Sequence, residues 1–357
     1  MTTEPRRVRC PVCADEFGWP QDGRVLVFNQ GTRKHDIIDV NGLSPAKRAG
    51  VRRDGYIQCP NPAGDMGAPH YLPATYADYP DPLTVGLVGA PMAGKTHLLT
   101  AMIREAYRGG LSPYGVTTSA LDFRRHDHFH EQFVQPFERG AALGGTDSGV
   151  TEAADILLVR GPAGPRPVTF FDVAGEDLES TEAMNRSTRF MLGADAVIFV
   201  HALEDEDPGS TGSVNPSWSF ELAVERLLGV PENATRVPVA IAVTKADRMR
   251  YVPPVQRWLR APAAGLDAAR IRAESRDVYA FLHRRGAVGS LRPFDAFQRC
   301  TLHFVSASGG DASPADAGQQ HRFARGVRPA NVLAPLVALL AMTGVIGGPE
   351  AQKVGMP

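Results

Sequence analysis

The sequence predicts an α/β fold: a mostly parallel β-sheet with helices on both faces, carrying a small β-rich module at its N-terminus. Three observations predict it. Six short apolar runs, at 83–88, 155–159, 167–172, 194–200, 238–243 and 301–305, are separated by segments with helical patterning, and strands alternating with helices build a parallel sheet buried on both sides. A glycine-rich loop joins the first run to a helix, the strand–loop–helix unit of phosphate-binding folds. The first 80 residues lack that alternation and hold three of the four cysteines.

Composition bounds the function. The 357 residues, 43% of them hydrophobic, can bury a sizeable core as one large or two to three small domains. A formal net charge of -1 without a basic run argues against nucleic acid as a partner. The N-terminus carries no apolar signal segment and no stretch of about 20 residues is uninterruptedly apolar. The expected location is therefore cytoplasmic, with no membrane insertion. The most apolar stretch, 332–346, is broken by Pro335, Thr343 and Gly344 and is expected as a buried helix.

In the N-terminal module, Cys10 and Cys13 form a CxxC pair, with Cys59 and His70 following at long range. Three thiolates and an imidazole can hold Zn²⁺ tetrahedrally. The spacing departs from a regular zinc ribbon, because Pro62 stands where a second CxxC would place its cysteine, and His35 competes with His70 as the fourth ligand. A strand-like run at 24–28 and a turn at Asn41-Gly42 suit a small β-rich fold around such a metal. A Pro- and Tyr-rich stretch, 71–82, reads as the linker, with the domain boundary near residue 80. Cys300, before an apolar run, is expected in the core.

After the run at 83–88 comes Gly89-Ala90-Pro91-Met92-Ala93-Gly94-Lys95-Thr96, with His97, also a nucleotide-binding candidate, opening a helix over 97–107 that Gly109 and Gly110 end. This is the phosphate-loop pattern GxxxxGK[ST] in the context it requires. Its glycines let backbone N–H groups face phosphate oxygens, Lys95 reaches the β/γ-phosphates, and Thr96 can ligate Mg²⁺. Lysine is scarce in this chain, five residues in all, and a second one, Lys245, falls in another candidate motif.

Ligands of such sheets sit at the carboxyl ends of the strands, so the residues following each run matter. One run ends at Asp172, followed by Gly175 and Glu176. An aspartate there can hold Mg²⁺ through water, and a glycine three residues on lets its N–H approach a γ-phosphate. The next ends in Thr244-Lys245-Ala246-Asp247, where a carboxylate can accept from guanine N1–H and its exocyclic amine while the lysine stem packs along the base. Adenine lacks that donor pair, and a site built on it rejects the wrong base by around 10⁴-fold. The last run ends in Val305-Ser306-Ala307-Ser308, whose backbone amides can contact the guanine carbonyl.

In this order, GxxxxGKT, DxxG, TKxD and SAS resemble the Ras-like P-loop GTPases of the TRAFAC class over roughly residues 83–345. The N-terminal ribbon, the DVAGED wording at 172–177 and an enlarged segment before the second core strand look most like the bacterial double-GTPase group, associated with conflict and signalling systems. The resemblance implies a GTPase domain over 81–350 with a helical insertion near 109–150 and a flexible tail at 351–357. It implies a six-stranded sheet with one antiparallel edge pair, a Mg²⁺·GTP/GDP site, and switch segments that respond to hydrolysis. It also implies a first-switch threonine, for which Thr146 is preferred and Thr151 stands as the alternative. Where many relatives carry a water-orienting glutamine, this chain has Glu176, so slow intrinsic hydrolysis is expected, assisted by a protein partner, a homodimer or an internal arginine. Arg124, Arg125 and Arg139 in the insertion are finger candidates against surface ion-pair roles. His126, His128 and His130 are a metal candidate against a solvated helix, and the acidic run 204–207 is expected as an exposed loop. Two functions follow: a GTP-hydrolysing switch, or a poorly hydrolysing scaffold with the ribbon as docking surface. A basic face would instead have favoured nucleic acid, and composition does not reveal one.

Overall fold

The computed structural model describes residues 5–64, 69–80, 82–144, 153–172, 193–203, 216–262, 264–313 and 321–356. At the N-terminus a two-stranded hairpin, β1 (Arg7–Arg9) and β2 (Glu16–Gly18), precedes a four-stranded antiparallel sheet. Its strands are β3 (Arg24–Asn29), β4 (Lys34–Asp39), β5 (Tyr56–Gln58) and β6 (Tyr71–Pro73), in the order β4-β3-β5-β6, with helix α1 (Pro45–Asp54) between β4 and β5. Short strands around a cysteine pair are what the composition of this stretch predicts.

The large sheet holds seven strands: β7 (Leu83–Val88), β8 (Thr117–Ala120), β9 (Ala153–Gly161), β10 (Gly164–Asp172), β11 (Ala196–Ala202), β12 (Val239–Thr244) and β13 (Cys300–Phe304). Their order is β13-β12-β11-β7-β10-β9-β8. Pairings from β10 through β7, β11 and β12 to β13 are parallel, and β9 is antiparallel to both neighbours. Each of the six apolar runs of the sequence lies in a strand to within two residues. The six strands expected become seven, because Thr117–Ala120 pairs with β9 from Thr117↔Arg160 to Ala120↔Leu157. Its Thr-Thr-Ser-Ala sequence has no apolar alternation, so only the neighbouring strand makes it one.

Every residue of β7 is buried, as the central strand of a two-faced sheet must be. One face is covered by α2 (Lys95–Glu105) through Leu98, Leu99 and Met102, together with Leu336, Leu339 and Leu340 of a helix at Ala334–Met342. The other is covered by helices at Pro216–Leu228 and Ala268–Arg284, through Phe220, Leu227, Val278 and Leu282 against Phe199, Ile241 and Phe304. The insertion is a helix, α3 (Phe123–Phe129), continued by a π-turn at His130–Val134 and a final turn at Gln135–Glu138. Asp122 caps it by accepting from Arg125 N at 3.1 Å. The patterning of residues 177–192 also predicts a helix, and that stretch lies outside the described residues.

Two boundaries differ from expectation. The patterning of residues 328–343 predicts the C-terminal helix, but it starts at Ala334, because Asn331 holds a left-handed φ of 56° and Ala330 pairs with Ser306. The expected tail is packed: Pro349–Lys353 is helical, Val354 is fully buried, and Arg299 Nη2 donates to the Val354 carbonyl at 2.7 Å. Charged and small residues there conceal a helix whose partners lie far away in sequence.

The N-terminal module shares a core with the large sheet, since Val8, Phe17, Leu72 and Tyr76 pack with Leu121 and with Ile156 and Leu158 of β9. No helix among the described residues is long and apolar enough to cross a membrane.

Candidate functional site

Register brings the candidate residues to one edge. Asp172 pairs with Leu87 at the end of β7, Val88 with Phe199, Ala202 with Thr244, and Val243 with Phe304. The carboxyl ends of β7, β10, β12 and β13 therefore lie together, and the phosphate loop, Asp172, Lys245 and Ser306 stand on that edge. Thr146, Thr151, Gly175, Glu176 and the acidic run 204–207 lie outside the described residues.

The loop from Gly89 to Thr96 curls around its own lysine. Lys95 is buried, and its ammonium donates to the carbonyls of Gly89 at 2.9 Å and Ala90 at 3.1 Å. Gly89 is required by close approach, as a Cβ there would stand 2.4 Å from the Val200 carbonyl oxygen. Gly94 is required by its φ of 85° at the N-cap of α2. Met92 holds a φ of 62° and is 83% exposed, and Lys245 a φ of 54°; non-glycine residues in this region concentrate at functional sites. The first-turn N–H groups of α2 and its positive end face the loop's concavity.

The base end is built by β12 and β13. Ser306 Oγ donates to Asp247 Oδ1 at 2.5 Å and accepts from Gly309 N at 2.9 Å, with both side chains buried. Thr244 Oγ1 lies 2.6 Å from the Ala93 carbonyl and 3.1 Å from that of His201, tying the phosphate loop to β12. Arg248 reaches across to Asp311 at 2.8 Å. Ser308 instead caps its own turn, its hydroxyl donating to the Gly310 carbonyl at 2.8 Å, while Ala307 is half-buried between them.

His97, grouped by the sequence with the nucleotide-binding loop, directs its side chain to the insertion. Its Nε2 accepts from Leu143 N at 3.1 Å, and its ring meets Phe137 and Phe323 edge-on, each with centroids 5.8 Å apart. The phosphate-loop helix is thereby joined to the end of the insertion. Burial, and then the Lys245 ammonium, hold its pKa down to about 4, so the ring is a neutral acceptor.

A second constellation lies in the N-terminal module. Ligand atoms of Cys10, Cys13, Cys59 and His70 all lie within 4.8 Å of one another, and the Sγ atoms of Cys13 and Cys59 are 3.7 Å apart. Zinc–sulfur bonds of about 2.3 Å at a tetrahedral angle separate two sulfurs by about 3.8 Å. Backbone N–H groups of Val12 and Asn61 donate to Cys10 Sγ and Cys59 Sγ at 3.3 and 3.4 Å. Both ring nitrogens of His70 are buried with no hydrogen-bond partner among the described residues, which suits an imidazole that ligates a metal. Hydrogen bonds from Cys10 and Cys13 hold the Cys59 thiol down to about 3, whereas burial pushes Cys10 up. His35, the competing ligand, stacks on Tyr71 at 4.2 Å instead. The donor set fits zinc.

Several of the insertion's polar residues have structural partners. Arg124 lies over the Phe28 ring at 3.5 Å, Arg125 pairs with Asp122 at 3.7 Å, and Arg139 is exposed. His126 pairs with the buried Asp155 at 2.8 Å and stacks on Tyr107, and His130 meets Gln135 at 3.4 Å. Among the described residues, the three histidines form no metal cluster with one another. Cys300 is buried, as expected.

No known protein family matches the chain, and no curated protein does. Among solved structures it is similar to the signal recognition particle receptor SRb-GTP/SRX complex from Chaetomium thermophilum, at 16% identity over 67% of this chain and 96% of that one, with a TM-score of 0.30. It is also similar to Sup35 complexed with GDP, at 13% identity over 64% of this chain and 38% of that one, with a TM-score of 0.29.

Proposed function

We propose that this chain binds guanine nucleotides and hydrolyses GTP to GDP and phosphate with Mg²⁺, acting as a switch in a bacterial signalling or conflict system. The observation that carries the reading is the edge shared by the lysine-centred loop and the Asp247–Ser306 pair. The loop amides and Lys95 hold the phosphates, and the Asp247 carboxylate reads guanine. Thr96 and Asp172 would hold Mg²⁺, which neutralises charge on the phosphates; Thr146, or Thr151, adds the first-switch hydroxyl. By the sequence motif, Gly175 N–H would approach the γ-phosphate and Glu176 would stand beside the attacking water, where like charge would keep hydrolysis slow without a partner. Cys10, Cys13, Cys59 and His70 hold zinc and keep the N-terminal module ordered for docking. Glu176 also supports a second reading, a scaffold that binds GTP and hydrolyses little.

Competition titration of nucleotide-free protein tests the base assignment. GTP is expected to bind at least 100-fold more tightly than ATP, with inosine triphosphate, which lacks the exocyclic amine, in between. Asp247→Asn is expected to abolish the difference. Equal affinity for GTP and ATP in the unmodified protein would overturn the guanine reading, and multiple-turnover phosphate release separates switch from scaffold.

A further inference from the structure

A second site lies at the opposite end of β13. A cavity of about 480 Å³ opens beside Cys300 and Thr301, the first residues of that strand, whereas Ser306 follows its last. Its wall is apolar: Ile271 and Tyr279 from the helix Ala268–Arg284, Phe294 and Phe297 from the next turn, and Met356. This size and lining suit a small ligand.

The mouth is cationic. Arg272 and Arg276, four residues apart on one helix face, line it and are exposed. Neither makes an ion pair among the described residues, and three nearby carboxylates are engaged elsewhere. Glu274 binds His303, Asp277 binds Trp258, and Glu350 binds Lys353. Burial, and then the charge of Asp295, exposed on the neighbouring turn, push the Cys300 thiol up.

The edge of β13 is closed to an added strand. Cys300 N donates to the Gly355 carbonyl, Leu302 N to Ser275 Oγ and Phe304 N to Glu274 Oε1. An occupant must therefore be held by side chains, not by backbone pairing.

We propose that this cavity binds a small amphipathic carboxylate, its apolar body against Ile271, Tyr279, Phe294 and Phe297 and its head on Arg272 and Arg276. The assignment is independent of the nucleotide reading. Calorimetric titration of the full chain with octanoate, decanoate and decanol tests it. Decanoate is expected to bind one-to-one, more tightly than octanoate by roughly fourfold per methylene, and at least tenfold more tightly than decanol. The double variant Arg272→Glu, Arg276→Glu, altered only at exposed positions, is expected to lose at least tenfold in decanoate affinity, and Ile271→Trp to fill the cavity and abolish binding. No binding of decanoate, equal affinity for decanol, or an unchanged affinity in the double arginine variant would overturn the proposal.

Discussion

Ser306 and Asp247, on the loops that leave two neighbouring parallel strands, are joined by a hydrogen bond of 2.5 Å in which the hydroxyl donates to the carboxylate. That bond occupies one lone pair of Oδ1 and fixes the carboxylate's rotation. A hydrogen bond to a charged group is worth about 1.5–3 kcal/mol. Ser306→Ala is expected to weaken GTP binding about tenfold and leave ATP binding unchanged, read by competition titration. An unchanged GTP/ATP ratio would show that the serine does not organise base recognition.

Acid sensitivity follows from two enclosed histidines. Burial, with Lys245 adding to it, holds His97 down to about 4, and burial does the same to His201, which contacts Ser290 Oγ at 2.9 Å. Both lie below the ordinary 6.5, so the unfolded chain takes up these protons first as pH falls. Their contribution to stability is complete above about 6.5 and is lost as pH falls toward about 4, at most about 3 kcal/mol each. The buried Asp155, whose carboxyl burial pushes up, works in the opposite sense but is common to every variant compared. Urea unfolding between pH 4.5 and 7.5 is expected to show a smaller acid loss for His97→Gln and for His201→Gln than for the unmodified chain. Parallel pH profiles would contradict this.

What the sequence displayed and what it hid divide along the range of the interactions. Runs such as 238–243 are continuously apolar because both faces of the sheet are covered, so each announces a strand without reference to its neighbours. Thr117–Ala120 becomes a strand only beside β9, and Val354 is buried only because Arg299 and its surroundings fold over it. The phosphate loop was legible because the curl itself demands Gly89 and Gly94. The contact of His97 with Leu143 spans 46 residues, and no local pattern encodes it. Cys13 and Cys59 are also 46 apart; there the sequence offered the ligand types, with His70 as fourth ligand, but left His35 as its competitor until folding separated them.

That separation makes the metal site testable. Purified protein is expected to carry one equivalent of zinc by elemental analysis. Cys59→Ser and His70→Ala are expected to lose it, whereas His35→Ala, whose ring stacks on Tyr71, keeps it. Ligation requires deprotonated thiols and a neutral imidazole, so zinc is released as pH falls. Because Cys10, Cys13 and Cys59 belong to the core shared with Ile156 and Leu158, chelation is expected to lower Tm by about 3 °C or more, roughly 2 kcal/mol. Zinc retained by His70→Ala but lost from His35→Ala would reverse the assignment.

Thr244 offers a test that separates the two ends of the nucleotide edge. Its hydroxyl has one hydrogen and two carbonyls within reach, Ala93 at 2.6 Å and His201 at 3.1 Å; the shorter contact holds the phosphate loop against β12. Thr244→Val keeps the shape but leaves the Ala93 carbonyl without that donor, at a cost of about 1–3 kcal/mol. A loosened loop grips every nucleotide less well, whatever its base. Thr244→Val is therefore expected to weaken GTP, GDP and ATP alike, by about five- to tenfold, and to leave the GTP/ATP ratio unchanged, opposite to Ser306→Ala. A shifted ratio would assign Thr244 to base recognition, and unchanged affinities with a lowered Tm would make its bond purely structural.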